Sequence, residues 1–181
     1  MRGRIFAVVG PSGVGKDTLL AGVCGGGGPH WVRRVITRPA AMGGEPYEGV
    51  TDDAFAKREA AGDFALVWRA HGLAYGVPWA ELALRDTGRD VVFNGSRGAL
   101  TQALARFPDL IVIHITAPED ALKARLHQRG REGAADIVAR LARDVDPFPA
   151  GLRVIEVVND ATPEQGIARL RAALQPTSAA R

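Results

Sequence analysis

Apolar residues fall along this chain in short runs separated by polar, glycine-rich joints, and the runs switch between two periods. Ile5 to Val9 is a continuous apolar stretch closed by Gly10, the pattern of a parallel strand buried on both faces. From Asp17 to Val23 the period changes. Leu19, Leu20 and Val23 share a face, which predicts a helix, and the glycines from Gly25 to Gly28 end it. Trp31 to Ile36 reads as a second strand, Pro39 to Glu48 as a loop and Asp52 to Ala61 as a short helix. Phe64 to Trp68 and Ala74 to Val77 predict paired strands around a His71-Gly72 turn, and Pro78 to Arg85 a helix opened by proline. Val91 to Phe93 is a strand ending in Asn94-Gly95, Leu100 to Arg106 a helix, and Leu110 to Ile115 the strongest strand pattern in the chain. Thr116 to Glu119 has the capping-box form before a helix from about Pro118 to Gln128, and Ala134 to Asp144 predicts another helix. Arg153 to Val158 is the last strand. Thr162 to Gln165 is a second capping box, before a closing helix whose apolar stripe is Ile167, Leu170 and Leu174.

Strands alternate with helices at both ends and a strand-rich segment interrupts them in the middle. That order predicts an α/β protein with a parallel sheet covered on both faces. A chain of 181 residues with 46% hydrophobic and 24% charged residues can bury one ordinary core, and 6% aromatics makes that core mainly aliphatic. The net charge of +3 comes from scattered arginines, which argues against a nucleic-acid binder. The charge suits an anionic substrate and equally a solvated basic surface. Cys24, the one cysteine, forms no internal disulfide and has no metal-ligand cluster around it, so a reduced, intracellular protein is expected. The first apolar run is too short for a signal peptide core or a membrane span, which adds the expectation of a cytoplasmic location and no membrane partner.

Gly10-Pro11-Ser12-Gly13-Val14-Gly15-Lys16 has the spacing G-x-x-x-x-G-K of a phosphate loop. Glycines let backbone N–H groups turn inward around phosphate oxygens, the following helix aims its positive end at the same anion, and Lys16 supplies a mobile cation. A dinucleotide fingerprint lacks its third glycine here, and a nucleophile elbow would need a glycine where Val14 stands. One position departs from the loop pattern. The residue after the lysine is normally Ser or Thr, whose hydroxyl meets magnesium. Here it is Asp17, followed by Thr18. Either Asp17 approaches the metal, directly or through water, or Thr18 takes over a hydroxyl contact; a plain negative charge at a helix start is the third account.

Gly10 to Leu19, Ile36-Thr37-Arg38-Pro39, Tyr75-Gly76, Arg125 to Glu132 and Val158-Asn159-Asp160 together resemble guanylate kinases over nearly the whole chain. The resemblance implies a P-loop NTPase three-layer fold in one domain over residues 1–181. Its parts would be a core of about 1–32 and 91–181, an acceptor-binding insert of about 33–90 and a short helical lid of about 128–143. Several positions depart from the family. The glutamate that holds guanine falls on Leu66, the second arginine of the T-T-R-x-x-R pattern on Ala41, a serine on Arg34, and an aspartate after the middle strand on Asn94. Tyr47 has no secure counterpart. The segments Gly15-Lys16-Asp17, Ile36-Thr37-Arg38, Ala70 to Gly76 and Val92 to Arg97 are similar instead to the ribose 1,5-bisphosphate phosphokinases, guanylate-kinase relatives of phosphonate catabolism. That implies ATP and ribose 1,5-bisphosphate as substrates, with 5-phosphoribosyl diphosphate (PRPP) and ADP as products. Guanylate kinase activity is the alternative, and Leu66 and Ala41 speak against it.

A phosphate acceptor is already anionic near neutral pH, so the chemistry needs cations and alignment rather than a base. On the resemblance, Gly10, Pro11, Ser12, Gly13, Val14, Gly15, Lys16, Asp17, Thr18 and Asn159 surround ATP, with Mg²⁺ near Asp17. Arg34, Arg38, Tyr75, Asn94, Ser96 and Arg97 would hold the acceptor, and Arg129, Arg131 and Arg140 would close with Lys16 on the transferring group. Plainer roles exist for most of these: helix-end charges for Arg129 and Arg131, packing for Tyr75 and Trp68, a strand end for Asn159, a turn for His71. A non-catalytic scaffold module of the same fold would need neither Lys16 nor the lid arginines. A homodimer stays open.

Overall fold

The computed structural model describes residues 1–39, 44–122 and 147–175. In chain order it runs β1 (Ile5–Val9), α1 (Lys16–Cys24), β2 (His30–Trp31), β3 (Arg34–Ile36), β4 (Tyr47–Gly49), α2 (Asp52–Ala60), β5 (Phe64–Ala70) and β6 (Leu73–Pro78). There follow α3 (Trp79–Leu82), β7 (Val91–Asn94), α4 (Leu100–Arg106), β8 (Ile111–Thr116), β9 (Arg153–Val158) and α5 (Pro163–Ala173). Five strands pair in parallel in the order β2-β7-β1-β8-β9, which puts β1 at the centre.

Strand alternation sorts the core residues onto two faces. Ile5, Ala7 and Val9 of β1 join Val91, Phe93 and Val112 under α4, through Leu100, Ala103 and Phe107. Phe6 and Val8 point the other way, with Val92, Ile111, Ile113, Ile115 and Val157, and pack against Leu19, Leu20 and Val23 of α1 and Leu170 and Leu174 at α5. Helices therefore cover both faces, which is why β1 has to be apolar at every position. α5 starts on the expected capping box: the Thr162 hydroxyl accepts from the Gln165 amide and the Gln165 side chain accepts from Thr162 N–H.

The middle of the chain builds a second, four-stranded sheet in the order β4-β3-β6-β5. β5 and β6 form the expected hairpin, and its turn has positive φ at both His71 (53°) and Gly72 (73°), the twist that two-residue hairpins favour. Leu66 and Val77 from this sheet enter the core under β1, so the hairpin is fixed to the main body rather than hanging from it.

Three expectations change in detail. Trp31 to Ile36 is not one strand. Val32 N–H still reaches Val92 O, but Arg33 N–H turns to the Glu81 carboxylate, and the chain leaves the parallel sheet for the second one. Hydrophobic pattern alone cannot show a change of partner inside an extended run. Tyr47 to Gly49 pairs with β3, inside and just beyond the segment read as loop. Thr116 is the last residue of β8, its hydroxyl donates to Glu156, and the helical turn described beyond it starts at 119. The helix expected over Ala134 to Asp144 lies outside the described residues. Among the described residues no helix is long and apolar enough to cross a membrane.

Ile113 is fully buried and Thr162 caps an exposed helix start, so their losses should differ. Urea titration should show Ile113→Ala costing about 2–5 kcal/mol and Thr162→Ala about 1 kcal/mol. Burial also pushes the Cys24 thiol up to about 12, against a smaller opposing effect of Arg89. The thiolate fraction at pH 8 is then about one in ten thousand. Iodoacetamide should leave Cys24 unmodified over the time it alkylates free cysteine, with the rate climbing as pH rises.

Candidate active site

The phosphate loop leaves the carboxyl end of the central strand, the position where open parallel sheets bind ligands. Gly10 sits so close to β8 that a Cβ there would lie 2.2 Å from Ile115 O. Gly15 has φ 97°, and a Cβ on it would meet Asn159 Nδ2 at 2.7 Å. Both positions therefore need glycine for packing as well as for backbone direction. Gly15 is the N-cap of α1, its position makes no side-chain cap bond, and the positive end of the helix points to where an anion would sit. Lys16 Nζ folds back over the loop and donates to Gly10 O at 2.6 Å and Pro11 O at 3.0 Å.

A cleft of about 510 Å³ opens beside this loop. Gly10, Pro11, Ser12 and Lys16 form one wall, Gly95 to Gly98 a second, and Arg34, Trp68, Ala70, His71 and Tyr75 the third. The hairpin register explains the third wall: Trp68 stands opposite Tyr75, and the two rings stack with centroids 5.4 Å apart and planes 4° from parallel. The Arg34 guanidinium lies 5.0 Å from the Tyr75 ring centre and 5.4 Å from that of Trp68. Arg34 is only 6% exposed and is held by Glu45, which accepts from its Nε at 2.9 Å and also from Nη2. On the opposite wall Arg97 Nη2 donates to His114 Nε2 at 2.8 Å, which places the imidazole proton on Nδ1, and the guanidinium stacks 4.3 Å from the Phe148 ring centre. A larger cleft, about 660 Å³, lies at the amino ends of the strands beside Gly25 to Gly28, far from the loop. Its Arg4 is already paired with Asp90.

The structure thus brings Lys16, Arg34, Tyr75, Ser96 and Arg97 around one space. Arg38 lies outside that lining, 4.2 Å over the Tyr47 ring. It stays near the loop side, since a Cβ on Gly44 would meet Asp17 Oδ2 at 3.4 Å and Arg38 Nη2 at 4.0 Å. Thr18 is exposed, one residue beyond Asp17 on α1. Two of the expected site residues sit behind the cleft. Asn94, expected to touch the acceptor, is 3% exposed and does not line the cleft. Its Nδ2 donates to Asp17 Oδ1 at 3.0 Å and Glu45 Oε2 at 3.1 Å, so it acts on the site at one remove. Asn159, expected beside ATP at the adenine, is 5% exposed, and its Nδ2 donates to Val14 O at 2.8 Å from behind the loop. That geometry makes it a brace for the loop. Arg129, Arg131 and Arg140 lie outside the described residues. Glu45, Trp68, His114 and Phe148 are the site residues that sequence reasoning did not assign. Trp68 carried a signal, since it faces Tyr75 across the predicted hairpin; the others have only tertiary ones.

A parallel sheet with a glycine phosphate loop on its central strand, and a small second sheet forming a cationic cleft beside it, defines a P-loop kinase of the guanylate-kinase fold. Guanylate kinase from Anaplasma phagocytophilum shares that fold, with a TM-score of 0.64 at 22% identity over 97% of this chain and 88% of the other. No family model matches the chain. The ribose 1,5-bisphosphate phosphokinase PhnN of Ruegeria sp. (strain TM1040) is 44% identical over 177 residues, covering 96% of this chain and 93% of the relative. The bifunctional ribose 1,5-bisphosphokinase–thymidine phosphorylase of Azorhizobium caulinodans is 49% identical over 176 residues, covering 95% of this chain. The chain spans 25–29% of the length of the bifunctional relatives it matches. The chain belongs to the ribose 1,5-bisphosphate phosphokinase family.

A bracing Asn159 and an adenine-reading Asn159 make different predictions. Asn159→Ala leaves Val14 O buried without this donor, a loss of about 1–2 kcal/mol in unfolding free energy. It should weaken ATP and GTP to the same degree in equilibrium binding. Weakening of ATP alone would return Asn159 to the base.

Proposed function

We propose that this chain transfers the γ-phosphoryl group of ATP to ribose 1,5-bisphosphate, giving 5-phospho-α-D-ribose 1-diphosphate and ADP. One observation carries the acceptor choice. The described residues lining the cleft include Lys16, Arg34 and Arg97 and no carboxylate. Guanine recognition needs a carboxylate facing its N–H groups, and Leu66, at the position where guanylate kinases carry one, is 1% exposed within the core. A bisphosphate needs the reverse: several cations, and no group that competes with its oxygens.

In the reaction an oxygen of the acceptor's 1-phosphate attacks the γ-phosphorus. A new P–O bond forms, the bond from the γ-phosphorus to the bridging oxygen breaks, and that oxygen leaves on ADP. The nucleophile is an anion already, so the chain's task is to bring like charges together in line. Loop N–H groups and the start of α1 would hold the β- and γ-phosphates, with Lys16 swinging from the Gly10 and Pro11 carbonyls onto them. Arg34 and Arg97, on facing walls, would hold the acceptor phosphates, and the Trp68–Tyr75 stack would floor the sugar. Arg129, Arg131 and Arg140 would close over the transferring group and exclude water.

The residues fit magnesium. Asp17 offers a carboxylate oxygen beside Lys16, and Mg²⁺ commonly binds through one or two carboxylates together with substrate phosphates and water. Asp17 would hold it through Oδ2, since Oδ1 accepts from Asn94. Bound there, the ion would neutralise charge on the β- and γ-phosphates.

The test offers ATP and Mg²⁺ with ribose 1,5-bisphosphate in one reaction and GMP in another, with products identified by mass. PRPP without GDP is expected; GDP would make the chain a guanylate kinase. Lys16→Ala should retain its fold by circular dichroism and lose about a hundredfold or more in kcat. Arg97→Met should raise the acceptor KM more than the ATP KM.

A further inference from the structure

Behind the cleft, four side chains from separate parts of the fold are joined end to end. Asp17 comes from α1, Asn94 from the end of β7, Glu45 from the segment before β4 and Arg34 from β3. Asn94 Nδ2 has two hydrogens and faces two carboxylates, Asp17 Oδ1 at 3.0 Å and Glu45 Oε2 at 3.1 Å. Glu45, whose side chain is 8% exposed, takes the Nε–Nη2 edge of Arg34. That fixes the guanidinium over Tyr75 and Trp68 and leaves Nη1 as its remaining nitrogen for an acceptor oxygen. Arg38 is a further charged group close by, near Gly44, which Asp17 also approaches.

The chemistry of position 94 is constrained by this arrangement. An amide can donate to both carboxylates at once. A carboxylate there would gather three acidic groups with no proton to share, and an apolar residue would take this donor away from both carboxylate oxygens. The bridge also accounts for the unusual residue after Lys16: an aspartate is accommodated at the loop because an amide, and not an acid, closes over it.

We infer that Glu45 and Asn94 are positioning residues that set acceptor affinity, Glu45 by fixing the Arg34 guanidinium on the aromatic stack and Asn94 by fixing Glu45 to the loop-side Asp17. Neither has to touch the acceptor. The inference rests on the reading that the cleft takes a phosphorylated acceptor, whichever that acceptor is.

A double-mutant cycle on wild type, Glu45→Gln, Asn94→Asp and the pair tests it. Acceptor binding is measured by calorimetry without ATP or magnesium, beside KM and kcat in the full reaction and thermal midpoints as a folding check. Each single change should weaken acceptor binding about tenfold or more, the scale of a lost charge-assisted hydrogen bond. The effect should fall on acceptor KM more than on kcat. In the pair, the amide introduced at position 45 can donate to the carboxylate introduced at position 94, so the combined loss should be well below the product of the two single losses. Unchanged acceptor affinity in Glu45→Gln, or losses that simply multiply, overturns the inference. If wild type binds GMP and not ribose 1,5-bisphosphate, the functional reading fails on its own and the same cycle is run with GMP. Wild type that binds neither overturns both.

Discussion

Everything at this site depends on how closely the phosphate loop is pressed against the sheet. A loop that wraps an anion must turn its N–H groups outward to the ligand, which leaves its carbonyls facing the protein. Those carbonyls need donors and the loop needs a floor. Here the floor is β8, near enough to Gly10 that no side chain fits between them. Gly10 O and Pro11 O accept from Lys16 Nζ, and the donor to Val14 O is Asn159, which reaches it from the end of β9. The Asn159 N–H is itself tied to Thr116 O at the end of β8. Val14 meanwhile buries its side chain among Phe6, Leu19 and Ile115. The loop is thus held from behind by two neighbouring strand ends and the core, and its geometry is set before a nucleotide arrives. Such preorganisation spares the transferring state the reordering of dipoles that water would need.

The second constraint is electrostatic. A site for two polyanions needs positive charge, but unrestrained arginines repel one another and sweep many rotamers. The chain restrains each one differently. Arg34 is flanked by an aromatic stack and clamped by Glu45; Arg97 is fixed between the His114 nitrogen and the Phe148 ring; Arg38 lies on Tyr47. Aromatic faces and a neutral imidazole hold a guanidinium without cancelling its charge. Glu45 does cancel charge, and it stands behind Arg34, so the face toward the cleft stays cationic. Glu45 is a support, placed one layer back.

Much of this is legible in the sequence because it is local. The phosphate loop announces itself by spacing, the hairpin by alternation around His71-Gly72, and α5 by its capping box. What is not legible is tertiary. Glu45 sits in a glycine- and proline-rich stretch that carries no periodicity, and only the fold shows that it meets Arg34 and Asn94. The run from Trp31 to Ile36 looks like one strand because both halves are extended and apolar; the change of sheet between them depends on Glu81, which takes up the Arg33 amide from elsewhere in the chain. Arg85 reads as an ordinary helix residue. It is 1% exposed, donates to Gly3 O at 3.0 Å and pairs with Asp109, which anchors the start of β1. Asn94 and Asn159 suggest ligand contact by residue type, and in the structure their amides donate to Asp17, Glu45 and Val14 O, which no local pattern shows.

The departures at Asp17 and Asn94 read as unrelated substitutions along the chain, yet in space they meet, since Asn94 Nδ2 donates to Asp17 Oδ1. Leu66, where guanylate kinases carry a carboxylate, is buried in the core and offers a nucleobase no partner. The carboxylates that remain, Asp17 and Glu45, face a common amide and lie behind the cations. The result is a cleft whose described lining is cationic and holds no carboxylate, beside a sheet that presents a phosphate loop on its central strand. On the proposed acceptor, a change of substrate within this fold would need no new backbone. It would need the negative charge kept out of the cleft lining, as Asp17 and Glu45 are here, with one amide bridging them.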